Sequence, residues 1–331
     1  MFLLLLFLAI LVYFLWRYKR EQHLIPNHKS KAVLVTGCDS GFGKAFVKRC
    51  LDEGMPVFAA CLTQQGVDDL NDLGKCTDRL HAFIMDVTDD KSVEKGRIFV
   101  EENSGSYGGL HGIVNNAGIA TNTALDDWLH LDDYRKVLDV NTFGVMRVTQ
   151  AFKDLVKQTR GRIVTTSSIL GRVAFPGLGP YVTSKFAVEG YCDVIRTELA
   201  DFGVKLSIVE PGGFRTPMLD PERLKKQAKE VWNKAPQRAK DEYGEEFFQY
   251  FQEGGVKLFN IMSFNDPKVV SDAYFHALTA VHPRSRYHAG WDAKLIFIPM
   301  SFLPGGIQDA LIKFSYWAIK APLPAAVQAN N

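Results

Sequence analysis

Tyr181 and Lys185 stand four residues apart in "YVTSK", a spacing that puts both side chains on one face of a helix. A phenol loses its proton only near pH 10, but an ammonium group beside it favours the phenolate. Lowering that value by about two to three pH units would contribute about 3 to 4 kcal/mol and make Tyr181 a usable proton donor and acceptor near neutrality. Ser168 closes the run "GRIVTTSS" ahead of this pair, where its hydroxyl could hydrogen-bond an oxygen whose carbon gains or loses hydride. Ser167, one residue away, faces the other side of the strand and is the alternative.

A second group of residues suits binding. "TGCDSGFG" at Thr36 to Gly43 follows the apolar run "AVLV" and precedes the helically spaced "KAFVKRCLDEG", so its glycines sit in a strand-to-helix turn. Bare backbone there lets a phosphate come close, with free N–H groups and the positive end of the helix dipole facing it. A plain tight turn would also use glycines.

These residues need a scaffold. From Lys31 onward, apolar runs alternate with helical patterns, and "AVLVTG", "PVFAACL", "LHAFIMDV", "LHGIVNNAG", "GRIVTTSS" and "KLSIVEPGG" give six candidate strands. That alternation predicts a single α/β Rossmann-type domain over residues 30–290, a doubly wound parallel sheet with ligands beyond the strands' C-terminal ends. From Pro217 to Gly255 a charged helical insertion carries Trp232, Phe247, Phe248, Tyr250 and Phe251. It either packs its aromatics on the core or forms a lid over an apolar substrate. Residues 291–331 form an apolar segment broken by Pro299 and Pro304, a possible membrane contact.

Composition removes several classes. The 331 residues are 47% hydrophobic, and Lys+Arg 39 against Asp+Glu 37 leaves +2, no field to draw nucleic acid. Five cysteines without a C-x-x-C pair and eight histidines without ligand spacing indicate neither a disulfide framework nor a metal site. "GCDSG" is not the nucleophile motif of a serine hydrolase. At the N-terminus, "MFLLLLFLAILVYFLW" is followed at once by "RYKR", the reverse of a signal peptide's charge order. As a helix these apolar residues would span roughly 24 Å, so residues 1–20 predict an anchor helix, either a short span or one embedded in the interface. Arg17, Lys19 and Arg20 favour a cytoplasmic catalytic domain.

Taken together the pieces resemble the short-chain dehydrogenase/reductase family over about Lys31 to Tyr287: "TGCDSGFG", Asp86–Val87, "NNAG", Asn141 in "VNTFG", the Ser168, Tyr181 and Lys185 set, and "PGGFRT". The resemblance implies that Tyr181 is the acid/base, that Ser168 orients the substrate oxygen and that Lys185 binds the nicotinamide ribose. It implies that Asn141 positions a water relaying protons through Lys185. Gly37, Ser40, Gly41, Phe42 and Gly43 would surround the pyrophosphate and ribose, and Asp86 and Val87 the adenine. Asn115, Ala117 and Gly118 would lie along the adjoining ribose, and Pro211, Gly212 and Thr216 at the nicotinamide amide. "NNAG" could instead only support the sheet. A fold kept as an idle scaffold would have a broken catalytic set, and here all four members are intact.

"KAVLVTGCDSGFG", "SSILGR" and "EYGEEFF" resemble the branch with membrane-bound retinol and hydroxysteroid dehydrogenases and 3-hydroxybutyrate dehydrogenases. "VAFPGLGPY", ending in Pro180, is closer to the hydroxybutyrate enzymes, whereas the N-terminus suits lipophilic alcohols. A hydroxy acid would need a cation, for which Arg215 and Arg172 are candidates. No acidic or basic residue ends the second strand in "AACLT", and the branch's habit makes NAD rather than NADP the expected cofactor. The expected enzyme is a homodimer in the endoplasmic reticulum membrane, or alternatively a mitochondrial one.

Overall fold

The computed structural model describes residues 2–75, 77–120, 123–216, 220–262, 266–318 and 321–329. Cys76 and the expected start of the insertion at Pro217 lie outside them. The chain runs through α1 (Phe2–Glu21), β1 (Ala32–Thr36), α2 (Gly41–Asp52), β2 (Val57–Cys61), α3 (Gln64–Leu73), β3 (Leu80–Ile84), α4 (Asp90–Ser104) and β4 (Leu110–Asn115). There follow α5 (Leu131–Leu138), α6 (Gly144–Gln158), β5 (Arg162–Thr166), α7 (Gly179–Glu198) and β6 (Lys205–Pro211). The remainder is α8 (Pro221–Lys234), α9 (Gln237–Tyr243), α10 (Glu245–Met262), α11 (Lys268–Thr279), β7 (Arg286–Ala289), α12 (Ile298–Ser301), α13 (Gly305–Ala318) and α14 (Ala325–Gln328).

All strands pair in parallel, in the order β3-β2-β1-β4-β5-β6-β7. The six expected strands are present. The seventh, "RYHA", alternates half-buried and buried residues and carries no apolar run, so the sequence pattern passes over it. Side chains on successive strand positions feed opposite cores. Val33 and Val35 meet α2, α3 and α11 on one face, while Ala32 and Leu34 meet α4, α6 and α7 on the other. β1, β4 and β5 are buried along their whole length, as strands covered on both faces must be.

The insertion builds a core of its own. Trp232 stacks on Phe248 with centroids 4.7 Å apart, and Trp128, from the loop after β4, touches Trp232, Tyr243, Phe247, Phe248 and Phe251. The aromatics therefore pack among themselves and on Trp128 rather than on either sheet-face core. They fasten the insertion to the loops beside the cleft, where Phe251 also abuts Gly177, a glycine held at φ 83° ahead of α7.

α1 forms over the expected stretch, its described apolar side chains from Leu5 to Trp16 exposed. Among the described residues no helix is long and apolar enough to cross a membrane. The far end of α1 is docked, because Glu21 accepts from Arg17 and Arg284 and backbone bonds join Ile25 to Thr279 and Val281 to His23. The C-terminal segment divides: Ala293, Phe297, Ile298 and Met300 are buried, whereas Phe302, Phe314 and Trp317 are exposed.

Candidate active site

A cleft of about 390 Å³ opens along the C-terminal ends of β1, β3, β4, β5 and β6. At one end the turn after β1 supplies bare backbone. Gly37 and Gly41 have φ of 70° and 58°, which only glycine adopts without strain. A Cβ on Gly37 would lie 2.7 Å from Ala117 Cα, and one on Gly43 2.3 Å from Gly37 O. Gly43 thus lets α2 close on the strand end, and its backbone lies behind the lining. Phe42 meets Phe214 edge to face at 5.2 Å, and Thr216 comes within 4.0 Å of the place a Gly41 Cβ would take.

At the other end Ser168, Tyr181 and Lys185 converge. Pro180 lies in the first turn of α7, where its fixed φ suits a helix start, and Tyr181 follows at once. The Ser168 hydroxyl acts on the Tyr181 phenol in the direction that lowers its pKa, and its Oγ accepts from Leu170 N at 3.1 Å. Lys185 Nζ lies 5.5 Å from the Tyr181 ring centroid and donates to Thr166 O at 3.0 Å. Burial pushes Tyr181 up to about 12, with the Ser168 hydrogen bond opposing, and brings Lys185 down to about 8. The lowering of Tyr181 expected from the i, i+4 spacing is therefore reversed here. Both groups lose their water, and desolvation disfavours each charged form.

The cleft is lined by Gly37, Ser40, Gly41, Phe42, Asp86, Val87, Ala117, Gly118, Ser168, Tyr181, Lys185, Pro211, Gly212 and Thr216. Asn115 and Asn141 stand behind it. Asn115 is buried, its amide donating to Thr149 and Thr165 hydroxyls, while Asn116 takes the lining position and donates to Thr36 O and Gly37 O. Asn141 lies in a π-helical segment, Asp139–Phe143, a distortion frequent at functional sites. Its amide joins Ile119 N and O at 2.8 and 2.9 Å to Ser184 Oγ at 3.1 Å, which holds the Gly118–Ile119 backbone against α7.

The family model for short chain dehydrogenases matches residues 31–227. The chain belongs to that family. It is similar to mouse 17-beta-hydroxysteroid dehydrogenase type 6, 44% identical with 92% of this chain and 94% of that one covered. Rat retinol dehydrogenase 7 is 42% identical over 94% and 96%, and human retinol dehydrogenase 16 is 40% identical over 97% and 99%. A crystallised short-chain dehydrogenase from Streptomyces avermitilis superposes with a TM-score of 0.66 at 25% identity, covering 88% of this chain and 98% of that one. The protein is thus an NAD(P)-dependent alcohol dehydrogenase by class, resembling the retinol and hydroxysteroid branch.

Two residues of this dehydrogenase escape its sequence pattern. Asp39, in the glycine turn, accepts from Leu62 N, Thr63 N and Thr63 Oγ1 at 2.9, 3.0 and 2.7 Å. It thereby brings a carboxylate to the end of β2, where the sequence "AACLT" has none. Asp292, fully buried beyond β7, accepts from Gly213 N at 2.6 Å, and a Cβ on Gly212 would strike it at 2.2 Å. Distance along the chain hides both, although an acidic residue inside a glycine turn is a signal for the first.

Proposed function

We propose that the protein is a membrane-anchored, NAD-dependent oxidoreductase moving hydride between the nicotinamide and the alcohol or carbonyl carbon of a lipophilic substrate, a retinoid or hydroxysteroid. The observation carrying this is the convergence of Tyr181, Ser168 and Lys185 at the dry end of a cleft whose other end is glycine backbone. The bound dinucleotide would supply the hydride acceptor or donor. Gly37, Ser40, Gly41 and Phe42 would hold its pyrophosphate and ribose, Asp86 and Val87 its adenine, and Pro211, Gly212 and Thr216 its amide.

In reduction Tyr181, protonated through the neutral range because burial holds it near 12, gives its proton to the carbonyl oxygen. For oxidation the phenol would first release its own proton to solvent, and the phenolate would then take the hydroxyl proton; Lys185, cationic below about pH 8, opposes the cost of that buried phenolate. Ser168 orients the substrate oxygen against the phenol. Asp39 favours NAD. An extra ribose phosphate would face its carboxylate, Lys44 is engaged by Asp69 at 2.9 Å, and among the described lining residues Lys185 is the one cation, at the opposite end.

The apolar cluster of Ile169, Leu170, Phe175, Ala293 and Phe297 beside Ser168 suits a lipophilic substrate, as do the names of the similar dehydrogenases. A small hydroxy acid finds less support, since Arg172 pairs with Glu210 at 3.4 Å and Arg215 lies outside the cleft lining. The exposed apolar face of α1 supports anchoring, with the domain on the cytoplasmic side of the endoplasmic reticulum. Exposed Phe186 and Val194 on α7 would meet a second copy.

The test is NADH or NADPH formation by membranes containing the protein, given all-trans-retinol, a hydroxysteroid or 3-hydroxybutyrate. Turnover of a lipophilic alcohol with NAD is expected, and activity with 3-hydroxybutyrate alone would overturn the substrate reading. Deleting residues 1–20 is expected to release the protein from membranes. Continued association would transfer the anchor to the exposed segment around α13.

A further inference from the structure

Behind the catalytic wall lies a buried ion network for which the proposed proton transfer has no use. Glu210, fully buried at the end of β6, is paired with the guanidinium groups of Arg172 at 3.4 Å and Arg286 at 2.7 Å and faces the His288 imidazole at 2.5 Å. Glu189, on α7 one turn beyond Lys185, pairs with Arg286, and it shares that nitrogen, Nη1, with Glu210. Its other oxygen, Oε1, is buried without a hydrogen-bond partner, beside the Ser167 hydroxyl. Glu189 is therefore the less compensated carboxylate of the two, and burial together with the Glu210 charge raises it above the usual range. Burial opposes Glu210 too, but His288 and Arg286 hold it low.

The network joins the three elements that form the catalytic end. Arg172 follows the Ser168 segment, Glu210 precedes Pro211, and Glu189 shares α7 with Tyr181 and Lys185. Gly171 is the joint, since a Cβ there would lie 2.8 Å from Ser167 Oγ, 2.9 Å from Glu189 Cγ and 3.1 Å from Lys185 O. We propose that Glu189 is a positioning residue that supplies the buried counter-charge keeping Lys185 cationic beside Tyr181.

The other groups around Lys185 do not supply that charge. Its own helix presents Tyr181, Glu189 and Cys192. β5 offers the Thr166 carbonyl, the π-helical segment offers the neutral Asn141, and β6 and β7 act through Glu210 and Arg286 on Glu189. Among the charges acting on Lys185, Glu189 is the foremost one raising it against burial.

This inference rests on the dehydrogenase reading, but its test does not require turnover. In the full-length protein with lysine labelled with ¹³C at Cε, the resonance missing from Lys185→Arg is followed against pH. It is expected to titrate near pH 8 in the parent and at least about one pH unit lower in Glu189→Gln. Glu189→Asp, which keeps the charge, is expected to restore most of that difference. Under the same substitutions, the alkaline fall in kcat for alcohol oxidation is expected to move with the resonance, with KM changing less. An unmoved resonance in a folded Glu189→Gln protein overturns the proposal, whereas an inactive parent with a moved resonance overturns the dehydrogenase reading alone. Should Glu189→Gln not fold, Asp193→Asn serves. Asp193 holds Arg286 at 2.6 Å from the more exposed end of the network, and its loss lets Arg286 neutralise Glu189 further. A smaller shift in the same direction is expected, and no shift overturns the proposal.

Discussion

At the Tyr181–Lys185 end the cleft is dry: Lys185 is 5% exposed, its ammonium donates to the Thr166 carbonyl, and the Ser168 hydroxyl opposes the effect of burial on Tyr181. At the ribose end the walls are glycine backbone and the half-buried Asp39, tied to Leu62 and Thr63. The first end alters what its ionisable groups are, because removing water moves both values toward the neutral forms. The second keeps a fixed charge in place and so discriminates between ligands by sign. In the proposed reading, reactivity and selectivity fall at opposite ends, one using desolvation and the other using Coulomb forces in a wetter setting.

The sharpest way to break this comparison is Tyr181→Phe, which keeps the ring and removes the proton. Turnover is expected to fall by about 10³-fold or more while cofactor binding, followed by fluorescence titration, persists. Unchanged turnover would move the chemistry elsewhere. A second effect separates desolvation from charge. Lys185 titrates near 8 in the fold against an ordinary 10.5, so between those values the unfolded chain keeps a proton that the folded chain has shed. Stability should therefore rise with pH across that window, by about 3 kcal/mol for full separation. Denaturant midpoints of the parent and Lys185→Met would show it as a slope present only in the parent. Tyr181 works in the opposite sense, since its raised value makes the fold lose stability as pH climbs from about 10 to about 12. The smallest effect belongs to the ribose end. Asp39→Asn keeps an acceptor for Thr63 but removes the charge, and the preference for NAD over NADP in kcat/KM is expected to fall about tenfold. No change would remove Asp39 from cofactor choice.

Six strands, the glycine turn and the line of Ser168, Tyr181 and Lys185 could be read from apolar runs and spacing, because these are local patterns. β7 could not, since four residues alternating half-buried and buried give no apolar run. Asn115 and Asn116 differ only in which side of a strand end they face, and the structure puts Asn116 in the cleft. Trp128 is absent from any reading of the insertion, although its ring is the centre on which Trp232, Phe248 and Phe251 pack. It comes from a loop about a hundred residues earlier, where periodicity carries no information.

The sequence by itself determined the parallel sheet, the position of the phosphate-suited turn, and which residues the proposed proton chemistry would use. Those follow from steric preferences and hydrophobic period acting over a few residues. Only the tertiary structure decided that a carboxylate from the glycine turn serves the end of β2, and that Tyr181 is raised rather than lowered. It also set two buried glutamates and Arg286 against the back of α7. Ionisation depends on how much water remains around a group and which charges replace it, and that is settled only when α7, β5, β6 and β7 have closed together.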